Sequence, residues 1–170
     1  MDLVPQWAGG THQCSATVSG LTHLGGQMSF EVALDKIVYE EDKYTFKEKT
    51  QCAALVQQLT KAPETSLWRP GLKVKDAKAG DIKPGTAIAT FDEKGRYPTT
   101  DPPGRHTALY VKHDDTGITV IDQWVGKPTA SQRVIKYAGE AVNGWQNNGD
   151  YFYVVELQPL FSFKGCMRLL

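Results

Sequence analysis

The sequence of residues 50–63 is TQCAALVQQLTKAP, and it contains the clearest helical pattern in the chain. Apolar side chains recur every three or four residues from Cys52 to Leu59, so one face of this segment is apolar. Thr50 is a residue type that caps the amino ends of helices, and Pro63 ends the pattern. The stretch therefore predicts a helix that begins next to Cys52.

The chain beyond this helix contains strand-like runs separated by glycine and proline. The runs are residues 86–91, 106–111, 118–124, 132–137 and 151–157. One helix followed by several strands predicts an α+β fold. The later connections are too short for parallel crossovers, so we expect an antiparallel meander.

Composition and charge exclude several classes of protein. The 170 residues include 19 Lys and Arg and 19 Asp and Glu, so the formal net charge is zero and offers no overall field to attract nucleic acid. No stretch is apolar enough for a membrane span, and the amino end lacks the features of a signal peptide. We expect a protein made in the cytoplasm that binds no nucleic acid.

Charge also divides the chain. Residues 1–35 contain no Lys or Arg and three acidic residues, so they carry −3 and the remainder carries +3. We expect residues 1–35 to form an amino-terminal extension, either an extra hairpin or a leader, and residues 36–170 to form the main domain.

Cys52 is the strongest candidate for a reactive side chain. A cysteine in the first turn of a helix lies at the positive end of the helix dipole, which favours the thiolate. The alternative is that Cys52 is a small buried apolar side chain. Cys14 lies in a glycine-rich stretch without a helix to activate it, and whether it pairs with Cys166 stays open.

Motifs for metals and cofactors are missing from the sequence. His12, His23, His106 and His113 are spread without metal-ligand spacing, and the three cysteines form no C-x-x-C pair. Phosphate-binding and dinucleotide-binding glycine motifs are also lacking. We expect no metal and no cofactor, and we expect His113 to be a solvated turn residue.

A histidine and a carboxylate lie on two successive predicted strands. His106 opens the run HTALYV, and Asp122 follows in the next run after a turn at residues 114–117. In an antiparallel pair with a three-residue loop centred near residue 114, His106 faces Asp122. A slip of one residue would place Gln123 there instead, and either side chain could orient the imidazole.

The ordered motifs resemble those of papain-like cysteine hydrolases of the NlpC-like and CHAP group. The motifs are QCAALVQ (51–57), WRPG (68–71), GTAIATF (85–91), GRYP (95–98), HTALYV (106–111) and GITVIDQW (117–124). The chain is most similar to small bacterial NlpC-like proteins that resemble type VI secretion amidase effectors. The resemblance implies a papain-like fold, in which the nucleophile helix packs on an antiparallel sheet of about five to six strands within residues 36–170.

The resemblance also implies roles for individual residues. Cys52 matches the nucleophile, His106 the base that later protonates the leaving amine, and Asp122 the residue that orients the imidazole. The residues implied in oxyanion stabilisation or substrate positioning are Tyr44, Gln51, Gln123 and Trp124. Gln51 departs from the aspartate that precedes the cysteine in the usual Asp-Cys-Ser-Gly motif.

The function implied is that of a peptidoglycan amidase or endopeptidase that works through a thioester and serves as an antibacterial type VI secretion effector. Its partners would be a wall peptide as substrate, the secretion machinery and a cognate immunity protein, and it would act in the periplasm of a target cell. One alternative is a deamidase, acyltransferase or protease with a protein target. Another is a catalytically inactive papain-like binding module.

Overall fold

The computed structural model describes residues 21–24, 27–99, 104–139 and 144–157. These residues form one α-helix, α1 (Cys52–Thr60), and eight strands. The strands are β1 (Leu21–Leu24), β2 (Gln27–Phe30), β3 (Trp68–Lys73), β4 (Ala87–Thr90), β5 (Thr107–Asp114), β6 (Gly117–Trp124), β7 (Lys127–Lys136) and β8 (Phe152–Leu157). Short 3-10 turns lie at Leu34–Lys36, Thr65–Leu67, Val74–Asp76, Trp145–Asn147 and Gly149–Tyr151.

The strands form one antiparallel sheet around a meander of β4, β5, β6 and β7. β8 returns to the outer side of β4, and Tyr153 in β8 pairs with Ala89 of β4 and with Lys73 of β3. The hairpin of β1 and β2 joins the same sheet through the pair Ser29 and Glu156. The architecture is α+β, as the sequence predicts.

The sheet has eight strands, of which six, β3 to β8, lie within residues 36–170, in agreement with the expected five to six, and the hairpin of β1 and β2 adds the other two. Residues 68–71 contain Pro70 and Gly71 and are not among the predicted strand-like runs, yet this segment forms part of β3 against β8. In the described sheet β3 pairs with β8 alone, and an edge strand of this kind is where proline is tolerated in a sheet.

The amino-terminal hairpin is packed into the domain. Phe30 is buried in the core, and Glu31 forms a bridge with Thr86. The predicted extension, residues 1–35, therefore includes a hairpin, while residues 1–20 lie outside the described residues.

Helix α1 begins at Cys52, with Gln51 as its N-cap residue. The prediction of Thr50 as the N-cap was wrong, because the Thr50 hydroxyl donates to the carbonyl oxygen of Trp124 at 3.0 Å. The helix ends when Lys61 adopts a left-handed conformation with φ 61°. Cys52 is thus the first helical residue.

Side chains that alternate along the strands form two cores, one on each face of the sheet. The face that packs on α1 includes Leu55, Val56, Trp68, Ala87, Ala89, Leu109 and Ile121. The opposite face includes Ile88, Ala108, Tyr110, Ile118, Val120 and Phe152. By the same alternation His106 and Asp122 belong to the face opposite α1, and they meet Cys52 at the end of the sheet where β5 begins.

Candidate active site

The thiol of Cys52 is half-buried at the amino end of α1. Its Sγ lies 3.6 Å from the hydroxyl oxygen of Tyr97. Burial opposes ionisation, but the hydrogen bond and charge of His106, the Tyr97 hydroxyl and the backbone N–H of Thr107 together lower the pKa of the thiol. Cys52 is therefore more readily ionised than an ordinary cysteine.

The imidazole of His106 is 4% exposed and lies between the thiol and a carboxylate. Its Nε2 is 2.7 Å from Oδ2 of Asp122, so Nδ1 is the ring nitrogen left for Cys52. Burial disfavours the charged ring, but hydrogen bonds to Asp122 and Cys52 and the charges of both raise the pKa of His106 to about 9. The pair is thus suited to exist as thiolate and imidazolium.

The carboxylate of Asp122 is fully buried and is surrounded by positive charge. Lys127 Nζ lies 3.1 Å from Oδ1, and Arg133 Nε lies 2.8 Å from Oδ2. Burial favours the neutral acid, but the hydrogen bond and charge of His106 and the guanidinium of Arg133 lower the pKa of Asp122 to about 2. Asp122 therefore stays ionised in spite of its burial.

The strand register differs from the predicted one. Asp114 pairs with Gly117 across a two-residue turn, and a bulge follows between Tyr110 and Lys112. The predicted three-residue loop was therefore wrong. Leu109 pairs with Ile121, so His106 and Asp122 are diagonal neighbours, which can still touch when the side chains are long.

Gln123 lies on the face of β6 opposite to that of Asp122, and its described hydrogen bonds do not involve His106. It is fully buried, and its Nε2 donates to the carbonyl oxygens of Tyr44 at 2.5 Å and Gln51 at 2.9 Å. Gln123 thus fixes the segment that leads into the nucleophile helix, and the structure places Asp122 beside the histidine.

Tyr44 is buried, and its hydroxyl accepts a hydrogen bond from the backbone N–H of Val38 at 2.8 Å. The hydroxyl beside Cys52 belongs instead to Tyr97, whose ring packs edge-on against Trp68. Tyr97 was not singled out from the sequence, because it lies in a loop whose position depends on this packing.

A cleft of about 660 Å³ opens over the thiol and the imidazole. Its lining residues are Lys49, Gln51, Cys52, Arg105, His106, Trp124, Val125, Arg133, Gln146 and Asn147. Trp124 is 43% exposed, so it forms part of the cleft wall, whereas Trp68 is fully buried in the core. The ring centroid of Trp124 lies 4.2 Å from Lys127 Nζ and 5.2 Å from the guanidinium carbon of Arg133.

Lys127 and Arg133 are site residues that the sequence reasoning missed. Asp122 pairs with Ser131 across β6 and β7, so Arg133 is its diagonal neighbour. The short turn at residues 125–126 could have predicted the contact of Arg133 with Asp122, since a two-residue turn fixes the register of the two strands.

Other candidates lie elsewhere. Cys14, Cys166 and His12 are outside the described residues, so their predicted roles and pairing stay open. His113 was predicted to be solvated; it is half-buried in β5, with Nδ1 2.7 Å from the Tyr110 hydroxyl and Nε2 2.9 Å from the Ala77 carbonyl.

The described ranges contain no cluster of three or more His, Cys, Asp or Glu side chains that could hold a metal ion. In the same ranges no helix has the length and apolar character needed to cross a bilayer.

Comparisons with known proteins give matches to amidase effectors. Residues 28–155 match the family described as Domesticated amidase effector 2. The chain is 34% identical over 116 residues to a Type VI secretion amidase effector 2 protein of Salmonella typhi, and the match covers 62% of this chain and 84% of the relative. It is also similar to the solved structure of a Type 6 secretion amidase effector 2, with 32% identity, a TM-score of 0.64, and coverage of 76% of this chain and 95% of the other.

The proteins that this chain matches in sequence and in structure are thus amidase effectors. The chain belongs to the Domesticated amidase effector 2 family. The predicted resemblance to type VI secretion amidase effectors is thereby confirmed.

Proposed function

We propose that this chain is a peptidoglycan amidase that cleaves an amide bond of wall peptides through a thioester on Cys52. The observation that carries the proposal is the hydrogen-bonded series of Cys52, His106 and Asp122 at the floor of an open cleft. The amidase names of the relatives support an amide as the bond attacked. The alternatives, a deamidase, acyltransferase or protease with a protein target and an inactive binding module, have no comparable observation in their favour.

In the first half of the reaction, the Cys52 thiolate attacks the carbonyl carbon of the amide. Negative charge develops on the carbonyl oxygen, and the backbone N–H of Cys52 is placed to stabilise it because the first N–H groups of a helix have no partner within the helix. The His106 imidazolium then donates its proton to the leaving nitrogen. The C–N bond breaks, the amine departs, and a thioester remains on Cys52.

In the second half, neutral His106 removes a proton from water, and the resulting hydroxide attacks the thioester. The C–S bond breaks, the thiolate and imidazolium are restored, and the product leaves as a carboxylic acid that loses its proton to solvent. Asp122 holds the imidazole by its Nε2 in both halves, so Nδ1 faces the reacting atoms. Gln51 and Trp124 line the cleft and would position the peptide.

We assign the domain to the papain-like fold of the NlpC and CHAP type. The support is the order of elements, in which a helix carries the cysteine, the following meander carries His106 at the start of β5, and β6 carries Asp122.

Digestion of purified muropeptides by the wild type and by Cys52→Ala tests the proposed chemistry. We expect new amine termini with the wild type and none above background with Cys52→Ala. The two proteins should show the same thermal unfolding midpoint within a few degrees, so that loss of product reflects chemistry. Equal product from both would contradict the mechanism.

The proposed site of action is the periplasm of a target bacterium, reached through the type VI machinery, with an immunity protein protecting the producer. The names of the relatives support secretion by this route. Expression with and without periplasmic targeting provides the test: we expect lysis only with targeting, and none with Cys52→Ala. Equal toxicity in both compartments would refute action on the wall.

A further inference from the structure

The active-site cleft carries an excess of positive charge. Among the described residues that line it none is acidic, and the cations are Lys49, Arg105 and Arg133. Asp122, below the cleft, is contacted by both Lys127 and Arg133, which leaves one positive charge in excess. The thiolate and imidazolium together add no net charge. Counted over the residues that the structure describes, the surroundings of the reacting amide are therefore cationic.

The three cations that line the cleft differ in how many of their N–H groups already donate hydrogen bonds within the protein. Arg133 donates Nε–H to Asp122 and an Nη1 hydrogen to Oδ1 of Asn147 at 3.1 Å. Arg105 donates an Nη1 hydrogen to the carbonyl oxygen of Thr99 at 2.9 Å. Lys49 is exposed, and its ammonium forms no ion pair with any residue that the structure describes.

The backbone of Lys49 is nevertheless fixed. Its N–H donates to the Phe46 carbonyl at 3.2 Å, and its carbonyl accepts from the Phe46 N–H at 3.0 Å. The next residue, Thr50, is tied to the Trp124 carbonyl. A lysine with an anchored backbone and an uncommitted ammonium at the rim of a cationic cleft is well placed to bind an anion from a ligand.

We propose that Lys49 binds a free carboxylate of the peptide substrate beside the scissile amide, so that substrates with this carboxylate are preferred over those in which it is amidated. The inference rests on the proposed function, because it concerns the peptide that the amidase would cut. A carboxylate is the anionic group that peptides carry, and amidation removes its charge while nearly preserving its shape. The lysine therefore acts as a specificity residue rather than a catalytic one.

Binding measured with Cys52→Ala protein tests this inference without turnover. The probes are two wall peptides that differ only in a free carboxylate or a carboxamide next to the target amide. At low salt we expect the free carboxylate to bind about fivefold more tightly, the upper end for an exposed ion pair, and we expect added salt to reduce the difference. Lys49→Gln in the same background should remove most of the preference.

Lys47→Gln is the matched control, because Lys47 is exposed in the same turn, carries the same charge and does not line the cleft. It should keep the preference of the parent protein. The inference would be overturned if the parent protein bound the two peptides equally or bound neither. It would also be overturned if the preference survived Lys49→Gln, or if Lys47→Gln abolished it equally.

Cleavage of the same two peptides by protein with an intact Cys52 separates this inference from the proposed function. Cleavage combined with equal affinities overturns the carboxylate preference and leaves the amidase proposal standing. A carboxylate preference without cleavage of either peptide overturns the amidase proposal alone. Where both hold, Lys49→Gln should raise KM for the free carboxylate and leave kcat unchanged.

Discussion

Arg133 Nε lies 2.8 Å from Oδ2 of Asp122, the same oxygen that accepts the hydrogen bond of His106. Lys127 contacts the other oxygen, so both oxygens of the buried carboxylate are held. A buried ion whose orientation is fixed from several directions can in turn fix the ring that it contacts. Arg133 and Lys127 are thus positioning residues that act on the imidazole through Asp122.

Replacing Arg133 by methionine should lower kcat/KM about tenfold. The change removes a charge-assisted hydrogen bond worth about 1.5 kcal/mol, and a loss of this size in the transition state corresponds to roughly one factor of ten. The acid side of the pH profile should also move to higher pH, because a positive charge that lines the same cleft as the thiolate is lost. Kinetics of muropeptide cleavage across pH measure both effects.

Arg69→Met is the control for Arg133→Met. Arg69 lies on β3 and donates to the backbone carbonyls of Ser66 and Trp68, away from the lining of the cleft. Arg133→Lys should recover part of the activity, since it keeps the charge and loses the planar guanidinium. A profile for Arg133→Met that matches the wild type would exclude the positioning role.

The pH dependence of kcat/KM should be bell-shaped, and the midpoint of its acid side should lie below the pKa of an ordinary thiol. The reaction needs ionised Cys52 and protonated His106. Activity should therefore rise with pH as the thiol, whose pKa is lowered, loses its proton, and fall as the imidazolium, whose pKa is about 9, loses its own. A single rise near pH 8.5, where unperturbed cysteine ionises, would contradict the ion pair.

The sequence predicted the elements that depend on local periodicity. The apolar spacing from Cys52 to Leu59 placed α1, and alternating runs with short turns placed β4 to β8. Two local expectations failed because of tertiary contacts. The Thr50 hydroxyl is bound by the carbonyl of Trp124, 74 residues away in sequence, and Pro70 is accommodated at the sheet edge by β8.

The part of the site that depends on alternation along the strands was also predictable. His106 and Asp122 share a face of the sheet, so they meet even though a bulge changes the register between them. The contact between Arg133 and Asp122 could be inferred only from the register of β7, in which Ser131 pairs with Asp122. Tyr97 reaches Cys52 from a loop, and no periodic pattern fixes a loop side chain.

Replacing Tyr97 by phenylalanine should make Cys52 less reactive at low pH. The hydroxyl beside Sγ helps to lower the pKa of the thiol, so its loss raises that pKa and reduces the thiolate fraction. We expect alkylation of Cys52 at pH 6 to slow roughly two- to tenfold, corresponding to about 0.5–1.5 kcal/mol for one hydrogen bond. Labelling with iodoacetamide, followed by mass spectrometry, measures the rate.

Tyr44→Phe is the matched control, since it removes a hydroxyl that bonds the Val38 N–H. Its labelling rate should equal that of the wild type. If Tyr44→Phe slows labelling more than Tyr97→Phe does, the hydroxyl that supports the thiolate has been assigned to the wrong tyrosine.

Replacing Gln123 by methionine should destabilise the fold by about 1–2 kcal/mol. The buried amide donates to the carbonyl oxygens of Tyr44 and Gln51, and methionine of similar size would leave both acceptors without this donor. Within the described residues Oε1 of Gln123 accepts no hydrogen bond, so its removal offsets part of the loss. Urea unfolding measures the change, and Gln132→Met, exposed on β7, should stay within about 0.5 kcal/mol of the wild type. Equal stabilities for the two variants would mean that Gln123 does not fix the segment leading into α1.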